Sequence, residues 1–248
     1  YLAREVLRSA GVPSQMFDAL PLAAEPFAAA LDLVFAAVTG GFARGPAVAL
    51  LRSPHVEFHQ GRLKPATTPG DVSALDRDLA EAGYLGGFDA LDRLVAAWDE
   101  GGKHSPAPRR AARLLLELAV ELRPLTEPAP AAAHLDHLLA FFGRHERPPD
   151  AADPLRPRLL RARAAIFDLL ASLRDAYARF DAAPVEFEAV AAVVKRWIEG
   201  HTFTPYTGEG GVHLVDAESA RFGDFDLVQL AGLVEGEWPE SPRRNIFY

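Results

Sequence analysis

Apolar residues recur three and four positions apart along most of this chain, and that rhythm stops at Gly200. Such spacing puts one face of a helix into a core and leaves the other to solvent. Phe27, Leu31, Val34, Phe35 and Val38 make one such stripe, opened by Glu25-Pro26 and closed by Gly40-Gly41. Leu114, Leu115, Leu118 and Leu122 make another, on a helix expected over Arg109–Leu122 that stops before Pro124. The longest is expected over Leu159–Phe180, with Ile166, Leu169, Leu170, Leu173 and Tyr177 at core spacing. Shorter helices are predicted over 1–10, 46–51, 71–82, 88–98 and 131–142. A final one starts at Pro184, with Phe187, Val190, Val194, Trp197 and Ile198 expected to face inward. Gly11-Val12-Pro13, the turn-rich stretch Gly61–Gly70, the loop Gly101–Pro108 and the run Pro148-Pro149, Pro154, Pro157 punctuate them. Many stripes of this kind can be buried only against each other, so the expected fold is mainly α.

From Gly210 the pattern changes. Val212-His213-Leu214-Val215 and Leu227-Val228-Gln229-Leu230 are short apolar runs bounded by Gly and Asp, and they read as buried strands. Two strands do not make a stable sheet, so these need partners from the start of the chain or from outside it.

Composition narrows the function. With Cys 0 there is no disulfide framework, thiolate nucleophile or Cys-ligated zinc. Net charge over the 248 residues is −8, whereas a small domain that holds nucleic acid by charge alone is basic. Any nucleic-acid contact is therefore local or shared with other segments. Lys64, Lys103 and Lys195 are the only lysines; arginine carries the rest of the positive charge. No phosphate-cradling Gly-rich loop ending in Lys-Ser or Lys-Thr is present. Charged residues interrupt every long apolar stretch, so no membrane partner is expected and the protein reads as cytoplasmic. The opening Tyr1-Leu2-Ala3-Arg4-Glu5 suggests an internal piece of a longer protein.

Three groups of polar residues have spacing that chemistry could use. His134 and His137 stand one helical turn apart with His145-Glu146 nearby, but no characteristic third ligand accompanies them, so packed or solvated histidines are expected and no metal. Arg156, Arg158, Arg161 and Arg163, and again Arg109, Arg110 and Arg113, form basic runs at helix starts. Asp150, Asp153, Asp168 and Glu117 dilute them, and solvated faces are expected. Glu218, Asp224, Asp226, Glu235 and Glu237 crowd the last segment among turn residues, which suits capping more than acid–base work.

The stretch from Gly211 to Pro239 resembles a known signature. It contains Val212-His213-Leu214-Val215, Glu218-Ser219-Ala220-Arg221, Phe225-Asp226-Leu227-Val228 and Gly232-Leu233-Val234-Glu235-Gly236-Glu237-Trp238-Pro239. This is similar to the strand–loop–strand motif in the second RecA-like lobe of UvrD-type superfamily 1 helicases, and more closely to its degenerate form in AddB-type helicase–nuclease subunits and related PD-(D/E)XK nuclease proteins. Leu7-Arg8-Ser9-Ala10-Gly11-Val12-Pro13 resembles the helix and Gly-Ile-Pro turn before a strand of the same lobe. Pro21-Leu22-Ala23 and Leu50-Leu51-Arg52-Ser53-Pro54 resemble the approach to an inserted helical subdomain.

The resemblance implies an incomplete α/β RecA-like lobe over 1–60 and 206–248, with an α-helical subdomain inserted over 61–205. It implies a role in DNA repair or recombination, without catalytic residues in this piece. Arg221, Arg243 and Arg244 are the implied phosphate contacts, and Asp224 stands where relatives hold nucleotide with Glu. Active relatives also carry His at Glu218, Lys at Arg221 and Gly at Phe222. A bulky Phe222 obstructs the tight turn a glycine permits, which weakens nucleotide binding here. No cofactor is expected in this piece, while ATP and magnesium would serve the parent protein. Implied partners are DNA, the remaining domains of the parent chain and a helicase–nuclease partner subunit. Alternative readings are the second motor lobe of an active ATP-dependent DNA helicase, or a protein-interaction module.

Overall fold

The computed structural model describes residues 2–16, 19–58, 67–101, 105–205, 210–216, 220 and 223–232. The chain begins with helix α1 (Leu2–Ser9), strand β1 (Ser14–Met16) and strand β2 (Leu20–Pro21). A 3-10 turn (Leu22–Ala24) then leads into α2 (Pro26–Thr39) and α3 (Arg44–Leu51). Next come α4 (Pro69–Glu81), α5 (Phe88–Gly101) and α6 (Pro106–Leu122), followed by a 3-10 turn (Arg123–Thr126) and β3 (Ala129–Pro130). The helical part finishes with α7 (Ala131–His145), α8 (Arg156–Phe180), β4 (Pro184–Val185) and α9 (Phe187–Gly200). Strands β5 (Thr202–Phe203) and β6 (Val212–Leu214) come last. The mainly α expectation holds.

Helix α2 sits at the centre. Ala28, Ala30, Leu31, Val34, Phe35, Ala37 and Val38 are all buried, which covers most of its circumference, as expected for a helix packed on several sides. It packs against α3, α8 and α9, while α4 and α5 pack on α6, and α7 on α8. One apolar cluster runs through all of them, from Leu22 to Phe203. Rings lock its layers: Phe27 lies 5.1 Å from Phe142 and 5.4 Å from Phe167, and Phe35 meets Phe187 edge-on at 5.7 Å. Helices assigned by sequence to either side of residue 61 therefore share this core.

Several prolines that read as breaks lie in first turns instead. Pro69 and Pro106 open α4 and α6, and Pro157 is the second residue of α8, so each helix starts earlier than the apolar stripe indicates. A first-turn residue has no intrahelical acceptor for its N–H, so proline costs nothing there. Pro184 differs from expectation in the other direction. It belongs to β4, which pairs antiparallel with β3, and α9 starts at Phe187. Of its expected inward face Phe187, Val190, Val194 and Ile198 are buried, but Trp197 is 46% exposed, its ring against His201.

Polar groups secure the joints. Thr68 caps α4 in a reciprocal box: its hydroxyl accepts from the Asp71 N–H and its own N–H donates to the Asp71 carboxylate. Arg110 of α6 donates to the same carboxylate at 3.2 Å. Glu25, only 1% exposed just before α2, accepts from Arg158 of α8 through Oε1 at 2.5 Å, while its Oε2 is buried without a hydrogen-bond partner. Two glycine-bearing turns interlock: the Gly87 N–H donates to the Gly41 carbonyl at 2.7 Å, and the Tyr84 hydroxyl to the Phe42 carbonyl at 2.9 Å. Phe42 adopts φ +57° with its side chain buried, a conformation a bulky residue rarely takes.

Three predictions follow from these joints. Arg158→Met, which strands a buried carboxylate, is expected to lower stability by about 3 kcal/mol, at the lower end for breaking a buried pair because Arg158 is partly exposed. Adding Glu25→Gln to it should recover part of that loss; the midpoints of urea unfolding measure both, with unchanged slope. Burial pushes the Asp71 carboxyl up, but the Thr68 N–H and the Arg110 guanidinium outweigh it and hold it below its usual 3.8. Its contribution is therefore complete above that pH and disappears as pH falls through the lower folded value. Asp71→Asn should flatten the loss of stability in acid, read from thermal melts between neutral pH and about pH 2. Burial raises the Tyr84 phenol to about 12, so the folded state keeps its proton while unfolded chains lose it near 10. An ultraviolet titration should show a late-ionising tyrosine that Tyr84→Phe removes, together with its share of the stability lost between those two values.

Candidate functional site

The two ends of the described chain meet in one small sheet. Helix α1 closes on Gly11, at φ +68°, with the Gly11 N–H donating to the Arg8 carbonyl at 3.1 Å and the Val12 N–H to the Leu7 carbonyl at 2.9 Å. This glycine-terminated cap turns the chain sharply through Val12-Pro13 into β1. Strand β6 lies parallel to β1, with Ser14 opposite Val212, Gln15 opposite His213 and Met16 opposite Leu214. The Val212 N–H donates to the Pro13 carbonyl at 2.9 Å. Gly211, at φ +93°, runs so close to Pro13 that a Cβ there would collide with the Pro13 backbone. The strand expected at 212–215 thus finds its partner at the start of the chain.

A second pairing follows the first along the chain. Strand β2 runs antiparallel to β5, with Leu20 opposite Phe203 and Pro21 opposite Thr202. The Leu22 N–H donates to the His201 carbonyl at 2.9 Å, and Arg161 of α8 donates to the Pro205 carbonyl at 3.3 Å. The chain therefore enters and leaves the helical body side by side.

Beyond β6, the Ala220 N–H donates to the Asp216 carbonyl and the Gly223 N–H to the Ala220 carbonyl, at 3.0 and 3.2 Å. The Phe225 ring meets His213 edge-on at 5.6 Å. Asp224 and Asp226 are exposed. Arg221, Arg243 and Arg244 lie outside the described residues, as do Glu218, Phe222, Glu235 and Glu237.

The expectation of a strand at Leu227–Leu230 does not hold. These residues pair with nothing described, and Leu227, Val228 and Leu230 are 87%, 61% and 64% exposed. Nor is β6 buried: Val212 is 44% exposed. Parallel strands gain their stability from layers packed on both faces; α1 packs against β1, while Val212 and His213 of β6 stay exposed.

Most of both arginine runs depart from the expected solvated faces, although Arg113 remains exposed. Arg158 binds Glu25 and Arg163 binds Glu146 while stacking on Phe167 at 4.4 Å. Arg161 and Arg156 donate to the Pro205 and Pro149 carbonyls. Arg110 pairs with Asp71, and Arg113 with Asp99 at 2.7 Å. These guanidinium groups tie elements of the fold together, and their acidic partners lie too far away in sequence to be read from local spacing.

The histidines go separate ways. His134, 1% exposed, sits with Nε2 at 3.0 Å from the Val185 carbonyl, so it braces β4 against α7. Exposed His137 turns back to the Ala133 carbonyl, and His145 meets Glu121 at 2.8 Å between the Phe58 and Phe141 rings. Among the described residues no group of three or more His, Asp or Glu side chains is placed to hold a metal. Nor is any described helix long and apolar enough to cross a membrane. An open cleft of about 360 Å³ lies beside Phe42 and Phe88. Arg123 stacks on Phe88 at 4.6 Å, and Asp89 and Glu127 bring opposite charge to the same lining. Its mixed sign favours no single class of ion.

No protein-family model matches the chain, and no curated protein matches it either.

Gly211→Ala tests whether the parallel pair depends on this close approach. The substitution is expected to speed hydrogen exchange at the Val212 amide at least tenfold while leaving the melting of the helical body in place.

Proposed function

We propose that this chain is a non-catalytic part of a cytoplasmic DNA helicase–exonuclease-like repair or recombination protein, in which it positions DNA and neighbouring domains. The observation that carries this reading is the parallel pairing of β1 with β6 across the whole helical body. Parallel neighbours need a crossover connection, ordinarily one helix. Here the crossover contains α2 through α9, gathered behind the β2–β5 neck. A helical subdomain inserted into a parallel lobe is what the resemblance of Gly211–Pro239 to the AddB-type motif implies, and the strand after Gly11-Val12-Pro13 suits that motif as well. The neck and the shared core favour starting the insertion at residue 22, ahead of α2, instead of at 61.

In this reading the rest of the lobe comes from the parent chain, with a helicase–nuclease partner subunit beside it. Arg221, Arg243 and Arg244 contact phosphate. Asp224, exposed on a segment with Phe222 in place of glycine, contributes little to nucleotide binding, and ATP and magnesium belong to the parent's other motifs.

The full-length parent protein is the object to test. It is expected to bind DNA with an affinity that falls steeply with salt. Replacing Arg221, Arg243 and Arg244 together by Ala should weaken binding by about tenfold or more at moderate salt and flatten the salt slope by about one unit per lost contact. Fluorescence anisotropy at several salt concentrations reads both. Salt-insensitive or absent DNA binding would overturn the proposal in favour of a protein-interaction module. DNA-stimulated ATP hydrolysis abolished by Asp224→Ala would instead identify a working motor lobe.

A further inference from the structure

We draw no further inference here: the strongest candidate, the exposed apolar surface of Val212, Leu227, Val228 and Leu230 at the β1–β6 end of the molecule, carries nothing beyond the proposed function, because nothing in the structure shows what covers it.

Discussion

Two parallel strands cannot be joined by a tight turn, because the chain leaving the end of one must return to the start of the other. That constraint organises this molecule. Residues 17–211 separate β1 from β6 in sequence, yet the Val212 N–H still reaches the Pro13 carbonyl. The long connection is tolerated because β2 and β5 pair, the Leu22 N–H ties to His201, and Arg161 ties to Pro205. Once the neck is closed, the helical body adds almost nothing to the entropy of bringing β1 and β6 together. The effective loop is only the few residues on either side of the neck, and closure cost rises with the logarithm of loop length. Pairing at the ends and packing in the middle are thereby separate problems, which lets a large helical body sit inside a small sheet.

The middle was largely legible in the sequence. Helical periodicity located the stripes that α2, α4, α5, α6, α7, α8 and α9 bury, because burial of one face is what holds such helices in water. Boundaries were harder to read, and for one reason. Proline ends a helix when it falls in the interior but suits the first turn, and spacing alone does not distinguish the two at Pro69, Pro106 and Pro157. The two-residue strands β2 to β5 left no pattern at all, since alternation needs more than two positions to register.

Charge was the least legible part. Arg158 and Glu25 are 133 positions apart in sequence, and Arg110 and Asp71 are 39 apart. The arginine runs on α6 and α8 look like surface basic patches until their partners are known; Arg110, Arg156, Arg158, Arg161 and Arg163 then prove to be bound to groups elsewhere in the fold. Arginine suits this work because its planar fork can make two hydrogen bonds and keep its charge while partly desolvated. Arg110, Arg113, Arg158 and Arg163, which stand in basic runs in the sequence, thus already face acidic partners within the fold.

The unpaired run Leu227–Leu230 follows from the same physics. Fixing four backbones in one extended conformation costs about 4–8 kcal/mol. Burying Leu227, Val228 and Leu230 completely would return about 4.5–9 kcal/mol, but only if both faces of the strand are covered, because successive side chains point to opposite faces. With Leu227, Val228 and Leu230 left exposed the return is far smaller, and no strand forms among the described residues here. With a helical layer on each face the balance passes through zero toward pairing. Leu227, Val228 and Leu230 therefore carry the apolar character of a strand without the two covered faces that would stabilise one, and among the described residues they stay exposed and unpaired.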